Sequence, residues 1–594
     1  MKTGAAFFIT VFFIFSITSC AGSGSDPVVP DTDTDPPVWT TTTGITDVLF
    51  GDINITIVFG EATDVENPPV SYLIYIDQDD NPWDQPPVEA DDNDPVEFWC
   101  LEPGVKYWAG VRAMDSADPP NIDQNDVLIS FTQEDHGWVR TYGGVGEDRG
   151  LGVSVDGDGN VYVTGAYSET VDFDPGPGED IHVSNEKHNA YLSRFDRFGV
   201  HEWTRSWGGD GFSAGRAVHA DDMGNVYVTG YFAGTVDMDP SITDDIRTSV
   251  GFTDISLTKF DSVGNYIWAI TWGGLEETCG TSEFRTAQSI PFNCPGKEEG
   301  LDVGADTMGN VYVCGRFSTT CDFDPGPGVD THSAVKHDAF LSSFDSSGDF
   351  RWAVTWGGAE EDAAKGLEVN GDGLVYVIGG FSDTVDFDPG PGEAICSGIL
   401  DVSVSCFDPL GNLQWVNVIG GSQSDEGNGI AIDYGGDIYV TGSFTGSVDF
   451  DPGLSEDFIY GGDYGNSAWL SKYDRSGNYI RTRTWKHELL EGGYGVATSP
   501  SGDVYVCGVL GDYNGMDAFV RAFDRDGGFK SARTWGGDAW DWANWVDVDD
   551  SGNSYVIGTY EDLVDFIPGH ENAEFRTYGL FDTYVLKLLP DCDY

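Results

Sequence analysis

The feature that most limits what this chain can become is a heptapeptide that returns seven times. It reads GNVYVTG at Gly159 and Gly224, GNVYVCG at Gly309, GLVYVIG at Gly373, GDIYVTG at Gly436, GDVYVCG at Gly502 and GNSYVIG at Gly552. Successive copies stand 65, 85, 64, 63, 66 and 50 residues apart. A second marker follows each: AYLSRFD from Ala190, ISLTKFD from Ile255, AFLSSFD from Ala339, VSVSCFD from Val402, AWLSKYD from Ala468, AFVRAFD from Ala518 and TYVLKLL from Thr583. A third marker, EWTRSWGG in the first unit, closes six units; its seventh copy, WVRTYGG at Trp138, lies ahead of the first.

Each unit reads as four strands. A small-residue strand (GLGVSVD at Gly150) precedes the three markers. One four-stranded sheet cannot cover both its faces, whereas sheets stacked around a ring cover one another. A ring has no terminal cap, so its ends must join. The displaced third marker predicts that Trp138–Tyr142 pairs beside Tyr584–Leu588 as the outer strand of the last unit.

These markers resemble the SBBP repeat family, named for a seven-bladed β-propeller and seen in bacterial surface and secreted proteins. The resemblance runs over residues 134–590 and implies an all-β fold, a seven-bladed β-propeller. It implies little about activity, because propellers carry enzymes and binding platforms alike.

Upstream, residues 37–133 read as a β-sandwich, with strands at Ile53–Phe59, Val70–Ile76, Val96–Leu101, Tyr107–Ala113 and Val127–Phe131 between Pro- and Asp-rich turns. The ATDVENPPVSYLIYID stretch, and Leu101-Glu102-Pro103-Gly104 leading into Tyr107, resemble a fibronectin type III module. That resemblance implies a spacer or binding module without catalytic residues. Residues 21–36, AGSGSDPVVPDTDTDP, have nothing to bury and read as a linker.

The N-terminus reads as a processing signal. Lys2 precedes an apolar stretch from Ala5 to Ile17, shorter than a spanning helix needs. It ends in Ile17-Thr18-Ser19-Cys20, which resembles a bacterial lipobox. The resemblance implies removal of residues 1–19 and a lipid on Cys20, with residues 20–36 tethering the folded part. The chain would then sit in the bacterial cell envelope, facing outside the cytoplasm and touching membrane through its lipid anchor alone.

Charge narrows the partners. Lys and Arg total 29 against 100 Asp and Glu, a formal charge of −71. Such a surface repels nucleic acid. It keeps an exported protein soluble, and it also attracts cations or basic partners. The expectation is a monomer with a protein or glycan ligand.

The most conspicuous motif is an insertion between the second and third strands: TVDFDPGPG and its variants. It places Asp172 with Asp174, Asp237 with Asp239, Asp322 with Asp324, Asp386 with Asp388, and Asp449 with Asp451. In a strand the two carboxylates of DxD share one side, a start toward a calcium site. The competing reading is that each Asp accepts amide hydrogen bonds from the PGPG turn, and repetition in five units favours it. The DGDGN at Asp156 reads as a turn shared with its counterparts.

No HExxH, GxSxG or phosphate loop is present. His188 and His337 share one repeat position and read as structural, and the paired Trp203 and Trp207 read as packing between blades. Cys279 and Cys294 flank a segment found in no other unit and read as a disulfide-closed excursion. Cys314 and Cys507 share one strand position and read as buried thiols. The function expected is a non-catalytic surface lipoprotein presenting a propeller as a binding or scaffolding platform. The alternative is a propeller enzyme acting on polysaccharide, a hydrolase or lyase. For the anchor, labelled fatty acid should enter the protein in a bacterial host, and Cys20→Ser should abolish the label.

Overall fold

The computed structural model describes residues 36–590 except 40–44, 51–53, 60, 64–69, 79–80, 85, 91–95, 100–105, 118–119, 124–126, 133–136, 186, 242, 275–296, 454, 487–489, 513–514 and 567–573. Cys20, Cys279 and Cys294, and with them the lipid site and the expected disulfide, lie outside the described residues. The chain divides into two compact units, Met1–Trp138 and Val139–Tyr594.

In the first unit two antiparallel sheets share a core. One orders Ile45–Phe50, Asn54–Phe59 and Val96–Trp99; the other orders Val88–Ala90, Ser71–Asp77, Lys106–Met114 and Leu128–Thr132. Alternation turns Tyr72, Ile74 and Ile76, with Tyr107, Ala109, Val111 and Ala113, onto Val48, Ile57 and Phe59. Asp123 fastens the edge, its carboxylate accepting from Trp39 Nε1 at 2.7 Å and the Ala113 amide at 2.8 Å. The Ile45–Phe50 strand escaped the sequence reading, because its apolar run is short and interrupted by Thr46 and Asp47.

The repeat region is a β-propeller of antiparallel strands; among the described residues four of its sheets have four strands each, and sheets of six and eight arise where an outer strand also pairs with the following blade. The first blade runs, from inner to outer strand, Arg149–Val155, Val161–Tyr167, Asn189–Phe195 and His201–Gly209. In the seventh, Trp542–Val548, Ser554–Tyr560 and Asp582–Leu588 come from the end of the chain, and Trp138–Tyr142 supplies the outer strand. Inner strands touch their neighbours all the way round, with Arg149–Val155 meeting both Ser213–Ala220 and Trp542–Val548. The DFDPGPG insertions are β-hairpins, a separate two-stranded sheet in the first blade and a continuation of the second and third strands in others. In the third blade the hairpin runs straight on, Val311–Asp322 pairing with Thr331–Phe344 down to Asp322 opposite Thr331.

The cores are shared between blades rather than enclosed within them. Tyr162, Leu192 and Trp207 of the first blade cluster with Val218, Val228 and Phe260 of the second. The outer-strand aromatic of each marker is the key. Trp207 packs on Phe260 at 5.5 Å between ring centroids, Trp272 on Phe344 at 5.1 Å, Trp356 on Phe407 at 5.4 Å and Trp485 on Phe523 at 5.4 Å. Tyr142 repeats the contact across the chain ends, 6.2 Å from Phe195. Each partner is the aromatic of the next blade's FD marker.

The second Trp of the marker packs lower on the same seam. Trp203 lies against Gly264, in the turn between the third and outer strands of the next blade; a Cβ there would come within 2.9 Å of the indole. Gly264 also has φ of 79°, so glycine is required twice over. Gly348 under Trp268 and Gly411 under Trp352 repeat the arrangement. The tryptophans thus pack between blades. We predict that Trp356→Ala, which empties a seam, lowers the unfolding free energy by about 3–5 kcal/mol. Gly264→Ala should cost at least about 1 kcal/mol through its left-handed backbone alone. Both are read from denaturant unfolding of the purified chain.

Candidate functional site

At one end of each blade lie the start of the inner strand, the end of the second, the start of the third and the end of the outer. The DxD hairpins rise there. Asp172 Oδ1 accepts the amides of Asp174 at 3.1 Å and Asp180 at 2.8 Å, and Asp174 Oδ1 accepts the Gly176 amide at 2.7 Å. Asp322 and Asp324 do the same for Asp324, Asp330 and Gly326, and Asp386 and Asp388 for Asp388, Ala394 and Gly390. Asp237 with Asp239, and Asp449 with Asp451, close their hairpins alike. Between each pair an aromatic or Met side chain is buried, as Phe173 is 4.9 Å from Tyr191. These carboxylates face turn amides, the second of the two uses the motif offered. Among the described residues, no three His, Cys, Asp or Glu side chains gather as a metal would need.

Beneath the hairpins, carboxyls meet at the seams. The residue opening each inner strand is acidic in six blades: Asp148, Glu298, Asp362, Asp425, Glu491 and Asp541. Asp148 accepts from the Gly144 amide at 2.7 Å and the Ser168 amide at 3.1 Å, tying the incoming link to the end of the second strand. Asp362 and Asp541 do likewise. The residue just ahead of the second marker on the third strand is Asp254, Asp338, Asp401, Asp517 or Asp582 in five blades. It occupies the space beside the first glycine of the GG pair; a Cβ on Gly143 would overlap Asp582, and one on Gly357 would overlap Asp338.

Each third-strand acid therefore confronts the inner-strand acid of the following blade. Burial, then the neighbouring charge, pushes Asp338 up to about 7. Asp148, Asp362, Asp425 and Asp541 also reach about 7, mainly through burial, and Glu298 about 8. Two seams differ. Between the first and second blades, Asn189 and Ser213 stand in these places, and Ser213 Oγ donates nothing to a charge but accepts the Ala190 amide at 3.0 Å. Between the fifth and sixth, Ser467 faces Glu491, which Arg521 neutralises at 2.8 Å.

The inner strands carry a feature that the sequence reading missed. Every one has a β-bulge near its start, after the second to fourth paired residue, leaving one residue extra: Leu151, Arg216, Leu301, Lys365, Asn428, Tyr494 and Asn544. All seven are half-buried between mostly buried neighbours. Several reach the next inner strand: Lys365 Nζ donates to Asn428 Oδ1 at 3.0 Å, Asn428 Nδ2 to the Gly493 carbonyl at 3.0 Å, and Asn544 Nδ2 to the Gly150 carbonyl at 2.7 Å. The available signal was small-X-small in the strand before each heptapeptide, as in GLG, GRA and GYG.

Around the bulges of the first three blades, charge gathers without repeating. Glu299 is buried between Arg316, 3.0 Å from its Nε, and Lys297 at 3.1 Å. Burial opposes its ionisation, but these cations hold Glu299 well below the usual carboxylate range. Tyr231 lies within electrostatic reach of Glu299, Arg216, Arg149 and Arg316. At the rim, His337 Nδ1 meets Glu361 at 2.7 Å and His188 Nε2 meets Glu147 at 3.5 Å, so these two His share a fastening role.

A second constellation was also missed. His182 bridges Ser206 Oγ at 2.7 Å and Asp180 at 3.2 Å. His332 spans Thr355 at 2.9 Å and Asp330 at 3.4 Å in the third blade. The recurrence marks both as pins holding a hairpin to its outer strand. Cys314 and Cys507 are buried thiols, each 3.6 Å from a carbonyl of the next inner strand.

The seam carboxyls set a pH dependence. Between about pH 4, where an unfolded chain releases these protons, and about 7, the folded protein retains them. The folded state then binds more protons, so stability falls as pH rises through that window. We predict a higher melting temperature at about pH 5 than at about pH 8, and that Asp338→Asn narrows the gap by stabilising the protein at the higher pH.

Residues 414–446 match the family model for SBBP, the β-propeller repeat. They cover the outer strand Leu413–Gly421 and the next blade's first two strands, so the sequence repeat straddles a seam. The chain is 22% identical over 422 residues to an uncharacterized WD repeat-containing protein of Acanthamoeba polyphaga mimivirus, covering 61% of this chain and 29% of that one. It is 27% identical over 192 residues to the regulatory protein FlaEY of Caulobacter vibrioides, covering 32% and 18%. It thus spans less than a third of either relative. Among solved structures, Sqt1 of Chaetomium thermophilum is similar at 11% identity and a TM-score of 0.34, covering 76% of this chain and 98% of that one. The polysaccharide lyase Uly1 is similar at 10% identity and 0.36, covering 74% and 90%. The chain carries a β-propeller repeat of the SBBP type at residues 414–446.

Proposed function

We propose that this chain is a non-catalytic binding platform of the bacterial cell envelope, lipid-anchored at Cys20, in which a fibronectin type III-like module carries a seven-bladed propeller. The observation that supports it most is the contrast on the inner strands. The bulge recurs in every blade, yet it presents Leu151, Arg216, Leu301, Lys365, Asn428, Tyr494 and Asn544, seven positions with five residue types. One backbone device repeated with varied side chains is what a recognition surface needs: rigid elements holding a specific pattern. The reading uses the paired aspartates as turn acceptors rather than as calcium ligands.

A second reading, an enzyme acting on polysaccharide, is favoured by one observation. Lys297, Glu299, Arg316, Tyr231 and His337 gather in one sector without repeating, as a catalytic site does. The two readings separate in one experiment. The purified chain is screened on glycan and protein arrays, and each polysaccharide bound is then incubated with it while chain length is followed. The platform reading expects binding with chain length unchanged. Shortening of a bound polysaccharide would replace it with the enzyme.

A further inference from the structure

We infer that the mouth of the propeller, from the seventh blade through the third, is a binding site for an anionic polysaccharide, with Arg216 and Arg149 taking its carboxylate or sulfate groups and an aromatic shelf at Trp540, Trp542 and Phe581 taking its sugar rings. This deepens the platform reading and rests on it for the surface, though not for the absence of catalysis.

The site is built from strand starts at one end of the ring. Trp542 and Arg149 occupy the same place at the heads of neighbouring inner strands. Trp540 stacks on Trp542 with centroids 5.9 Å apart, and Trp542 meets Phe581 edge-on at 5.5 Å. The Arg149 guanidinium lies over Phe581 at 5.1 Å, so the shelf runs directly into the cations. Trp540, Trp542 and Phe581 are each half-buried, leaving surface for a ligand. Beyond Arg149 come Arg216, then the Lys297–Glu299–Arg316 group, with Tyr231 among them.

Charge points to the chemistry. The chain holds 29 Lys and Arg in 594 residues and a formal charge of −71, yet four cations converge here. Against Arg149, Arg216, Lys297 and Arg316 stand Glu147 and Glu299, with Glu361 at the rim on His337. A positive excess is left in the middle of an acidic surface. Arg216 is the cation with no hydrogen bond or ion pair to any described residue, and its side chain is half-exposed on a bulge. Desolvation already lowers the pKa of Arg149 and of Lys297, a cost that a bound anion would offset. Planar guanidinium groups bind carboxylate and sulfate-like oxyanions through paired hydrogen bonds. Aromatic faces beside them suit a ring that is apolar on its face and charged at its edge. An acidic peptide would use the cations but would leave the shelf without a regular partner.

The test uses the full chain and four probes: sodium polygalacturonate for carboxylate, dextran sulfate for sulfate, neutral dextran, and poly-glutamate. Binding is measured by calorimetry at low and high salt. Polygalacturonate or dextran sulfate should bind, more weakly as salt rises. Arg216→Ala should weaken that binding about tenfold or more, equivalent to loss of one charge-assisted hydrogen bond. Trp540→Ala should weaken it too, while Lys530→Ala, a cation elsewhere on the ring, leaves it unchanged. Melting curves check that each variant is folded. Three results would overturn the assignment: neither polyanion binds, poly-glutamate binds more tightly than both, or folded Arg216→Ala binds as the wild type does. If the polyanions fail but the arrays yield another ligand, the platform stands without this site. If a bound polyanion is shortened, the site stands and the non-catalytic reading falls.

Discussion

The structure depends on one packing relation: the large apolar residue near the end of each outer strand, an aromatic everywhere but at Ile419, is buried in the next blade, not in its own. Trp207 on Phe260 and Trp356 on Phe407 are instances, and Tyr142 on Phe195 carries the relation across the chain ends. A four-stranded sheet with both faces apolar has no stable existence alone, so burial on a neighbour is the condition for any blade to form. Closure follows, because an unpaired first or last blade would leave such a face in water. The glycines follow as well. Gly264 is flat against Trp203 because blade-to-blade contact leaves no room for a side chain there.

Close seams create an electrostatic difficulty that the molecule resolves in three ways. Where Asp338 meets Asp362, or Asp582 meets Asp148, two carboxyls share a dry space, and burial with mutual repulsion favours their protonated forms. Where Ser467 meets Glu491, Arg521 supplies the countercharge. Where Asn189 meets Ser213, charge is absent and the hydroxyl accepts an amide. The recurring acid is retained because it closes the loop between blades: Asp148 holds both the Gly144 and the Ser168 amides. The same atoms that join the ring thus make its stability sensitive to protons.

A rigid ring leaves the inner strands free to differ. The bulge extrudes one residue per blade; Lys365, Asn428 and Asn544 use it to hydrogen-bond the next inner strand, while farther out the seam is already defined by Trp and glycine. Cations can therefore collect at Arg149, Arg216 and Arg316 in a molecule that is acidic nearly everywhere else. Such a local reversal of sign gives a surface both attraction and orientation for an anion.

Much of this was legible in the chain. Seven copies of the heptapeptide, four strands per unit and the early WVRTYGG marker were enough to expect a closed ring, because periodicity and pairing are local properties of a repeat. The turn role of the DFDPGPG carboxylates was legible too, since Asp172 bonds amides only two and eight residues away. In the first unit, alternation located Ser71–Asp77 and Lys106–Met114 but not Ile45–Phe50, whose inward face is set by sheets distant in sequence. What only the tertiary structure decided is which unlike residues stand together. Arg149, Arg216, Lys297 and Arg316 belong to three different repeats, and Phe581 and Trp542 to a fourth. Nothing in their local sequence links them. They meet because strand starts converge at one end of a closed ring, and that convergence is a property of packing rather than of any single repeat.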